Sequence, residues 1–268
     1  MEGMKQVISF IGTGKMASAL ISCIYKNKLA KSITASDKNN KNLRKIKNKF
    51  KIKTINDNKE AIKNSDIIFI CVKPQDIDIV IDEIKDEVKN QLIVSIAAGI
   101  KISHLQTKLK NKRIIRVMPN INCLIGEMAA GFSAGKYATK YDIKNVSKIL
   151  NAAGISFLVK EGLLDAVTAV SGSGPAFFAY FIDAISKAGI KNGLPREIAY
   201  KLAIQTALGT GKLLLEKNLS PKELIEMVAS KKGTTAAGLQ VLKSNKTKNI
   251  IMKTVDAAAK RSKELGKS

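Results

Sequence analysis

Short apolar runs alternate with helical patterns over the first 160 residues, and this alternation limits the possible folds more than any other feature of the sequence. The strand-like runs are Val7–Ile11, Ser32–Ser36, Ile67–Val72, Leu92–Ala97, Ile114–Met118 and Ser156–Val159. Between two of these runs, Ile77, Val80, Ile84 and Val88 recur three or four residues apart, as they do on one face of a helix. Such a rhythm predicts a mostly parallel, doubly wound α/β sheet with helices on both faces.

The strand-like runs stop at about Glu161, and helical patterns occupy the rest of the chain. These patterns cover residues 163–170, 176–188, 196–216, 221–229, 235–244 and 249–265. The segment Ser220–Glu223 reads S-P-K-E, which is a capping box with proline in the first turn and indicates a helix start. We therefore predict a Rossmann-like doubly wound α/β domain over residues 1–160 and an all-α helical domain over 161–268.

The net charge of +24 raises the question of a nucleic-acid partner. Only five of the 46 basic residues are arginine, the lysines are spread along almost every helix, and the chain has no tryptophan for base stacking. This distribution favours solvated lysine-rich surfaces over a nucleic-acid interface. The positive field would still speed the encounter with small anionic ligands.

Cysteine content and hydropathy favour a cytoplasmic protein. Cys23, Cys71 and Cys123 are odd in number, far apart and embedded in apolar segments, which is typical of reduced core thiols and not of a disulfide framework or a metal site. No run approaches the roughly 18 apolar residues of a membrane span, and the chain enters its first strand without a signal-peptide pattern.

A glycine-rich turn follows the first strand. The segment Gly12–Ala17 has the pattern G-x-G-x-x-A and opens a helix. Gly12 would permit the tight turn, Gly14 would let the backbone approach a pyrophosphate, and Ala17 would let the helix pack closely on the strand. A glycine-rich turn can be purely structural, but its position between a strand and a helix favours a dinucleotide site at the helix N-terminus.

Asp37 stands 20 residues after Ala17, at the end of the second strand-like run. A carboxylate at this position would bind an adenosine ribose 2′-OH and favour NAD. Its neighbours Ser36, Lys38 and Asn39 could instead bind a 2′-phosphate, so the sequence leaves NAD and NADP open.

Two segments of the second half combine small and hydroxyl residues. The run Ser171–Ala176, S-G-S-G-P-A, allows the backbone to approach closely, either to a ligand or to another helix. The run Ser230–Thr235 joins two predicted helices, and the free N–H groups of the second helix would form a carboxylate site. Alternatively, a threonine of this run is an ordinary N-cap of the second helix.

These motifs together resemble the pyrroline-5-carboxylate reductases. Gly12–Ala17, Val72–Gln75, Val170–Ala176 and Gly233–Thr235 occur in the order and spacing of that family, and Ala188–Arg196 is similar to it as well. The resemblance covers essentially the whole chain; its most specific part is Val167–Arg196 and its least specific part is the dinucleotide fingerprint. It implies a dinucleotide-binding domain, then an all-α dimerisation domain.

The resemblance also implies an activity and a site. It implies a cytoplasmic enzyme of proline biosynthesis that uses NADPH, with NADH as the alternative, to reduce 1-pyrroline-5-carboxylate to L-proline. It also implies a homodimer as the building block of a larger homo-oligomer. The residues that it assigns to the cofactor are Gly12, Gly14, Lys15, Met16, Ser36, Asn58, Val72, Lys73, Pro74 and Ala97. The residues that it assigns to the substrate are Gly233, Thr234, Thr235 and Glu161, with Thr235 nearest the ring nitrogen.

The sequence departs from the family pattern in three places. The family has Asn at Lys15, Asn-Thr-Pro at 120–122 and Ser-Pro-Gly-Gly at 230–233, where this chain has Asn-Ile-Asn and Ser-Lys-Lys-Gly. The last departure predicts strain of about 1 kcal/mol at Lys232 if that position has a positive φ.

Two other functions fit part of the pattern. A β-hydroxyacid dehydrogenase has a similar fingerprint and an all-α second half, but the helix Ala176–Ile182 lacks the catalytic Lys and Asn of that family. A nucleotide-sensing protein without turnover is also compatible with the fold. A protonated imine already carries its proton, so its reduction needs no strong general acid, and the single histidine, His104, is expected at the surface.

Overall fold

The computed structural model describes residues 5–266, which form eight strands and twelve α-helices. The strands are β1 (Gln6–Ile11), β2 (Ala30–Ser36), β3 (Lys53–Ile55), β4 (Ile67–Ile70), β5 (Leu92–Ser95), β6 (Arg113–Met118), β7 (Met128–Ala134) and β8 (Gly154–Leu158). The helices of the first part are α1 (Lys15–Lys26), α2 (Asn40–Phe50), α3 (Asn58–Ile62), α4 (Ile77–Ile84), α5 (Ile102–Lys108), α6 (Lys140–Asn151) and α7 (Leu164–Val167). The remaining helices are α8 (Gly174–Lys191), α9 (Arg196–Glu216), α10 (Pro221–Val228), α11 (Thr234–Ser244) and α12 (Thr247–Leu265).

All eight strands belong to one sheet in the order β3-β2-β1-β4-β5-β6-β7-β8. Every pairing is parallel except that of β6 with β7, so β7 and β8 run against the other six strands. The predicted Rossmann-like α/β architecture is confirmed. The sequence did not reveal β3 or β7, because β3 has three residues and β7, M-A-A-G-F-S-A, lacks the β-branched residues that mark strands.

Each face of the sheet has its own apolar core, because alternate side chains of a strand point to opposite faces. Phe10 and Phe69 lie on one face with their rings stacked at 4.8 Å, in a core shared with α1, α2 and α6. Ile68 and Ile70 lie on the other face, in a core shared with α3, α4 and α5. The two cores hold the strands in one register, so the ends of parallel strands meet along one edge.

The chain divides into two compact units, which are described separately. One unit contains the residues up to Ser173 together with those from Ala258 onward, and the other is Gly174–Ala257. The predicted division at residue 160 concerns functional domains and stays a prediction.

The second unit is helical, as predicted for this part of the chain. It contains α8 to α11 and most of α12, and α8 packs along α9, where the Tyr200 hydroxyl donates to the Asp183 carboxylate at 2.9 Å. The predicted capping box begins α10, since Ser220 and Glu223 each bond the other's backbone N–H. Many large apolar side chains of this unit are exposed, including Phe178 at 67% and Leu215 at 72%.

Two expectations from composition can be compared with the fold. Cys23, Cys71 and Cys123 are free thiols, and burial raises the pKa of Cys123 to about 12, in agreement with inert core cysteines. Among residues 5–266, no helix has the length and apolar character needed to cross a membrane.

Candidate functional site

The glycine-rich turn leaves β1 at the carboxyl edge of the sheet. Gly12 has a φ of +88°, and its N–H donates to the Ser36 carbonyl at 2.8 Å. A Cβ at this position would lie 2.9 Å from the carbonyl oxygen of Cys71, which follows β4. Both the backbone angle and the contact therefore exclude any other residue at position 12, as the fingerprint predicts.

Gly14 is the N-cap of α1, and the space beside it is open. Within residues 5–266, no atom beyond Gly14 and its two chain neighbours lies within 4 Å of the position that a Cβ would take. The helix has no side-chain cap, so the N–H groups of its first turn remain available. A free helix N-terminus beside an open glycine is a suitable cradle for a pyrophosphate, because the backbone can approach closely and the helix dipole favours an anion.

Asp37 supports this turn and does not face outward. Its carboxylate accepts hydrogen bonds from Thr13 N–H and Thr13 Oγ1, both at 2.7 Å, from Asn39 N–H at 2.7 Å and from Asn42 Nδ2 at 3.4 Å. Burial alone would raise the pKa of Asp37, but these hydrogen bonds outweigh it and hold the pKa below its usual value. The carboxylate that could have bound a ribose 2′-OH is thus occupied in joining the glycine turn to the start of α2.

Ser36 and Asn58, two of the residues assigned to the cofactor, form a chain of hydrogen bonds near the carboxyl edge of the sheet. Ser36 is fully buried, and its hydroxyl donates to Asn58 Oδ1 at 2.7 Å. Asn58 Nδ2 donates in turn to the Glu83 carboxylate at 2.7 Å. Nearby, Lys38 is exposed and forms an ion pair with Asp76 at 2.9 Å. A surface ion pair of this kind is weak, so the Lys38 ammonium can turn to another anion.

The remaining cofactor candidates lie along the same edge. Lys15 and Met16 begin α1 after β1, Val72–Pro74 follows β4, and Ala97 follows β5. In the sheet, β2, β1, β4 and β5 are adjacent and parallel. The structure thus brings together the ten residues that the resemblance assigned to a dinucleotide, at the edge where doubly wound sheets bind their ligands.

A cleft of about 960 Å³ lies beside these strand ends, within the first unit. Pro74 and Gly99 line one side of it, and Thr168 and Ser173 line another. His104 also lines it; its Nε2 is 2.8 Å from the Asp78 carboxylate, and its side chain is 43% exposed. The prediction of a surface histidine is therefore confirmed.

Glu161 is held by two partners in the first unit. Its Oε1 accepts from Ile102 N–H at 2.7 Å and from Arg116 Nη1 at 3.2 Å. Arg116 is only 5% exposed, and the sequence analysis did not single it out. A signal was present, because Arg116 interrupts the apolar run R-I-I-R-V-M of β6, and a buried charge in a strand requires a partner.

The substrate candidates of the second unit lie at the start of α11. Gly233 is the N-cap and Thr234 the first helical residue, and no side chain caps the helix. The alternative of an ordinary threonine N-cap is therefore wrong. Lys232, just before the cap, has a φ of +60°, so the condition for the predicted strain is met. The first-turn N–H groups of α11 thus remain available to a carboxylate.

The sheet and its open glycine turn define a dinucleotide-binding oxidoreductase fold. The family model described as NADP oxidoreductase coenzyme F420-dependent matches residues 7–99, and the model described as pyrroline-5-carboxylate reductase dimerisation matches 161–265. The pyrroline-5-carboxylate reductase of Methanosarcina acetivorans is 40% identical over 98% of each chain. The chain belongs to the pyrroline-5-carboxylate reductase family.

Solved structures agree over the full length. The pyrroline-5-carboxylate reductase of Coxiella burnetii superposes with a TM-score of 0.95 at 31% identity, covering 99% of this chain and 100% of that one. The pyrroline carboxylate reductase of Plasmodium falciparum, solved with NADP bound, has a TM-score of 0.86 at 33% identity and covers 99% of both chains.

The hydrogen bonds of Asp37 lead to a prediction about stability. Asp37→Asn should lower the free energy of unfolding by about 1–3 kcal/mol at neutral pH, because the N–H groups of Thr13 and Asn39 lose a charged acceptor. Since the folded-state pKa is depressed, this stabilisation is complete above the unfolded pKa of about 3.9 and disappears as the pH falls through the folded value. The deficit measured by urea unfolding should therefore shrink in acid. The exposed Asp86→Asn should show no deficit, and an equal deficit in both variants would contradict the role of Asp37.

The positive φ of Lys232 leads to a second prediction. Lys232→Gly relieves the left-handed strain, whereas Lys231→Gly at the adjacent exposed position adds only chain freedom. By urea unfolding, Lys232→Gly should therefore be more stable than Lys231→Gly by about 1 kcal/mol. Equal stability of the two variants would show that Lys232 carries no strain.

Proposed function

We propose that the protein is an NAD(P)H-dependent pyrroline-5-carboxylate reductase that transfers hydride to the C=N carbon of 1-pyrroline-5-carboxylate and yields L-proline. The observation that carries the proposal is the open helix N-terminus at Gly14, on the carboxyl edge of a doubly wound sheet, in a chain of this family. A β-hydroxyacid dehydrogenase would need the Lys and Asn that the segment Ala176–Ile182 of α8 lacks.

The cofactor residues would each do one task at this edge. The first-turn N–H groups of α1 would hold the pyrophosphate, with Lys15 adding positive charge. Val72–Pro74 and Ala97 would form the floor beneath the nicotinamide half. When bound, the reduced nicotinamide supplies the hydride. The protein supplies position and electrostatics.

NADPH is the cofactor that we propose, with NADH as the weaker alternative. The oxygens of Asp37 accept hydrogen bonds from Thr13 and Asn39, which supports the view that this carboxylate is directed to the glycine turn and not to a ribose 2′-OH. The exposed ammonium of Lys38 lies beside this position and would attract a phosphate.

The substrate carboxylate would bind the backbone N–H groups at the start of α11, where the helix dipole favours an anion: that of Thr234, and that of Gly233 in exchange for its 3.1 Å bond to the Ser230 carbonyl. Thr235, in the first turn, would direct its hydroxyl to the ring nitrogen, and we propose it as the catalytic residue in the sense of contacting the reacting group. Because the imine is already protonated, Thr235 would orient it and exchange no proton. Glu161 would lie close to the substrate while it anchors α5.

The building block that we propose is a homodimer formed through the helical half, within a larger homo-oligomer in the cytoplasm. The exposed apolar side chains of α8 to α12, among them Phe178, Leu215 and Met227, support a covered surface. A family model described as a dimerisation domain matches this part of the chain.

The activity is tested directly by following the loss of NADPH absorbance with 1-pyrroline-5-carboxylate. We expect turnover with proline as product, faster with NADPH than with NADH. Gly14→Val should abolish cofactor binding in a folded protein, because its side chain would fill the space beside the α1 N-terminus. NADPH binding by the parent without any turnover would instead support a nucleotide sensor, and undiminished binding by the variant would refute the placement of the pyrophosphate.

The placement of the substrate is tested at Thr235. Losing one hydrogen bond to a charged group costs roughly 1.5–3 kcal/mol, so Thr235→Ala should lower kcat/KM by about ten- to a hundredfold with NADPH binding unchanged. Thr235→Ser should recover most of the loss. Full activity of Thr235→Ala would leave the enzyme class intact but would place the substrate elsewhere.

A further inference from the structure

The chain makes a π-helical turn over Thr168–Gly172, directly after α7. The Ser173 N–H bonds to the Thr168 carbonyl, five residues back, at 2.8 Å. Pro175 gives the physical reason for the wide turn. In an α-helix the N–H of residue 175 would pair with the Ser171 carbonyl, but proline has no N–H and its ring clashes with that carbonyl. The Ser171 carbonyl therefore lacks its usual helical partner.

The side chain of Asn120 replaces the missing donor. Its Nδ2 donates to the Ser171 carbonyl at 3.1 Å, and its Oδ1 accepts from Ala129 N–H at 3.1 Å. Asn120 is 5% exposed, so these bonds are shielded from water. One partner accepts and the other donates, which fixes the orientation of the amide.

The two hydrogen bonds of the Asn120 side chain, called here the Asn120 tie, hold the π-helical turn against the carboxyl end of β6. A Cβ at Gly172 would lie 2.9 Å from Met118 Cε, so the turn packs directly on the last residue of that strand. The same turn carries Thr168, and Ser173 follows it, so both line the 960 Å³ cleft beside Gly99. Among residues 5–266, the Ser173 hydroxyl makes no hydrogen bond, and it is free to meet a ligand.

We infer that Asn120 is a positioning residue of the reductase, and the inference rests on the proposed function. Its amide stands in for the N–H that Pro175 lacks, and it acts through the π-helical turn to fix the wall of the cleft that carries Ser173. The turn ends in Ser171 and Gly172, the first two residues of the S-G-S-G-P-A segment for which the sequence left packing and ligand approach open. The turn serves both packing and ligand approach, because its packing on Met118 sets the position of Ser173 in the wall of the cleft.

A double-mutant cycle between positions 120 and 175 tests this role. Asn120→Ala should lower kcat/KM for 1-pyrroline-5-carboxylate by about tenfold or more, with the KM for NADPH changed less than about twofold, because the turn loses the tie and the cofactor edge does not. Pro175→Ala restores the backbone donor, so the double variant should recover most of the lost activity. The matched control is Asn122→Ala, an exposed asparagine two residues on, which should behave like the parent.

Each outcome decides between accounts. An Asn120→Ala variant as active as the parent, or a double variant no better than Asn120→Ala, overturns the positioning role. If Asn120→Ala fails to fold, Asn120→Leu, which has a similar volume and carries no donor for the Ser171 carbonyl, takes its place. If that variant also fails, recovery of folding by Pro175→Ala supports the tie and its absence refutes it. A parent protein that reduces no 1-pyrroline-5-carboxylate overturns the proposed function. If the parent is active and Asn120→Ala has the same kcat/KM, only this inference is overturned.

Discussion

The close approach of Gly12 to the end of β4 is the constraint on which the candidate cofactor site depends. With a Cβ excluded by the Cys71 carbonyl and a φ of +88°, the chain can turn at once from β1 into α1. That turn directs the N-terminus of α1 to the carboxyl edge of the sheet. Asp37 then fixes the turn from the next strand by accepting from both donors of Thr13. A single contact and one carboxylate thus set the direction of the helix whose N–H groups would hold the cofactor.

The two candidate anion sites share one device, although they lie in different units. Gly14 caps α1 and Gly233 caps α11, and neither helix has a side-chain cap. The helices α6 and α10 begin instead with Thr139 and Ser220, whose side chains occupy the first-turn donors. A glycine cap leaves those donors unsatisfied and open, which favours binding of a phosphate or carboxylate over helix stability.

Much of this arrangement could be predicted from local patterns. The strand Val7–Ile11 and the glycines after it obey rules of period and backbone angle that act within a few residues, and the capping box at Ser220 is equally local. The role of Asp37 could not be decided from the pattern, because the same carboxylate suits a ribose or a backbone turn, and only the fold shows that Thr13 donates to it. The pairing of Asn120 with Ser171 joins residues 51 apart. No spacing rule links such positions, so contacts of this kind require the structure.

The central claim is that this chain moves a hydride from a nicotinamide to the imine carbon of 1-pyrroline-5-carboxylate. The most direct measurement supplies NADPH deuterated at one face of C4 and examines the product by mass spectrometry. The account predicts proline with one deuterium, at C5, from one of the two C4 epimers, and unlabelled proline from the other. Oxidation of the cofactor with no deuterium in proline, or no proline from either epimer, would contradict it.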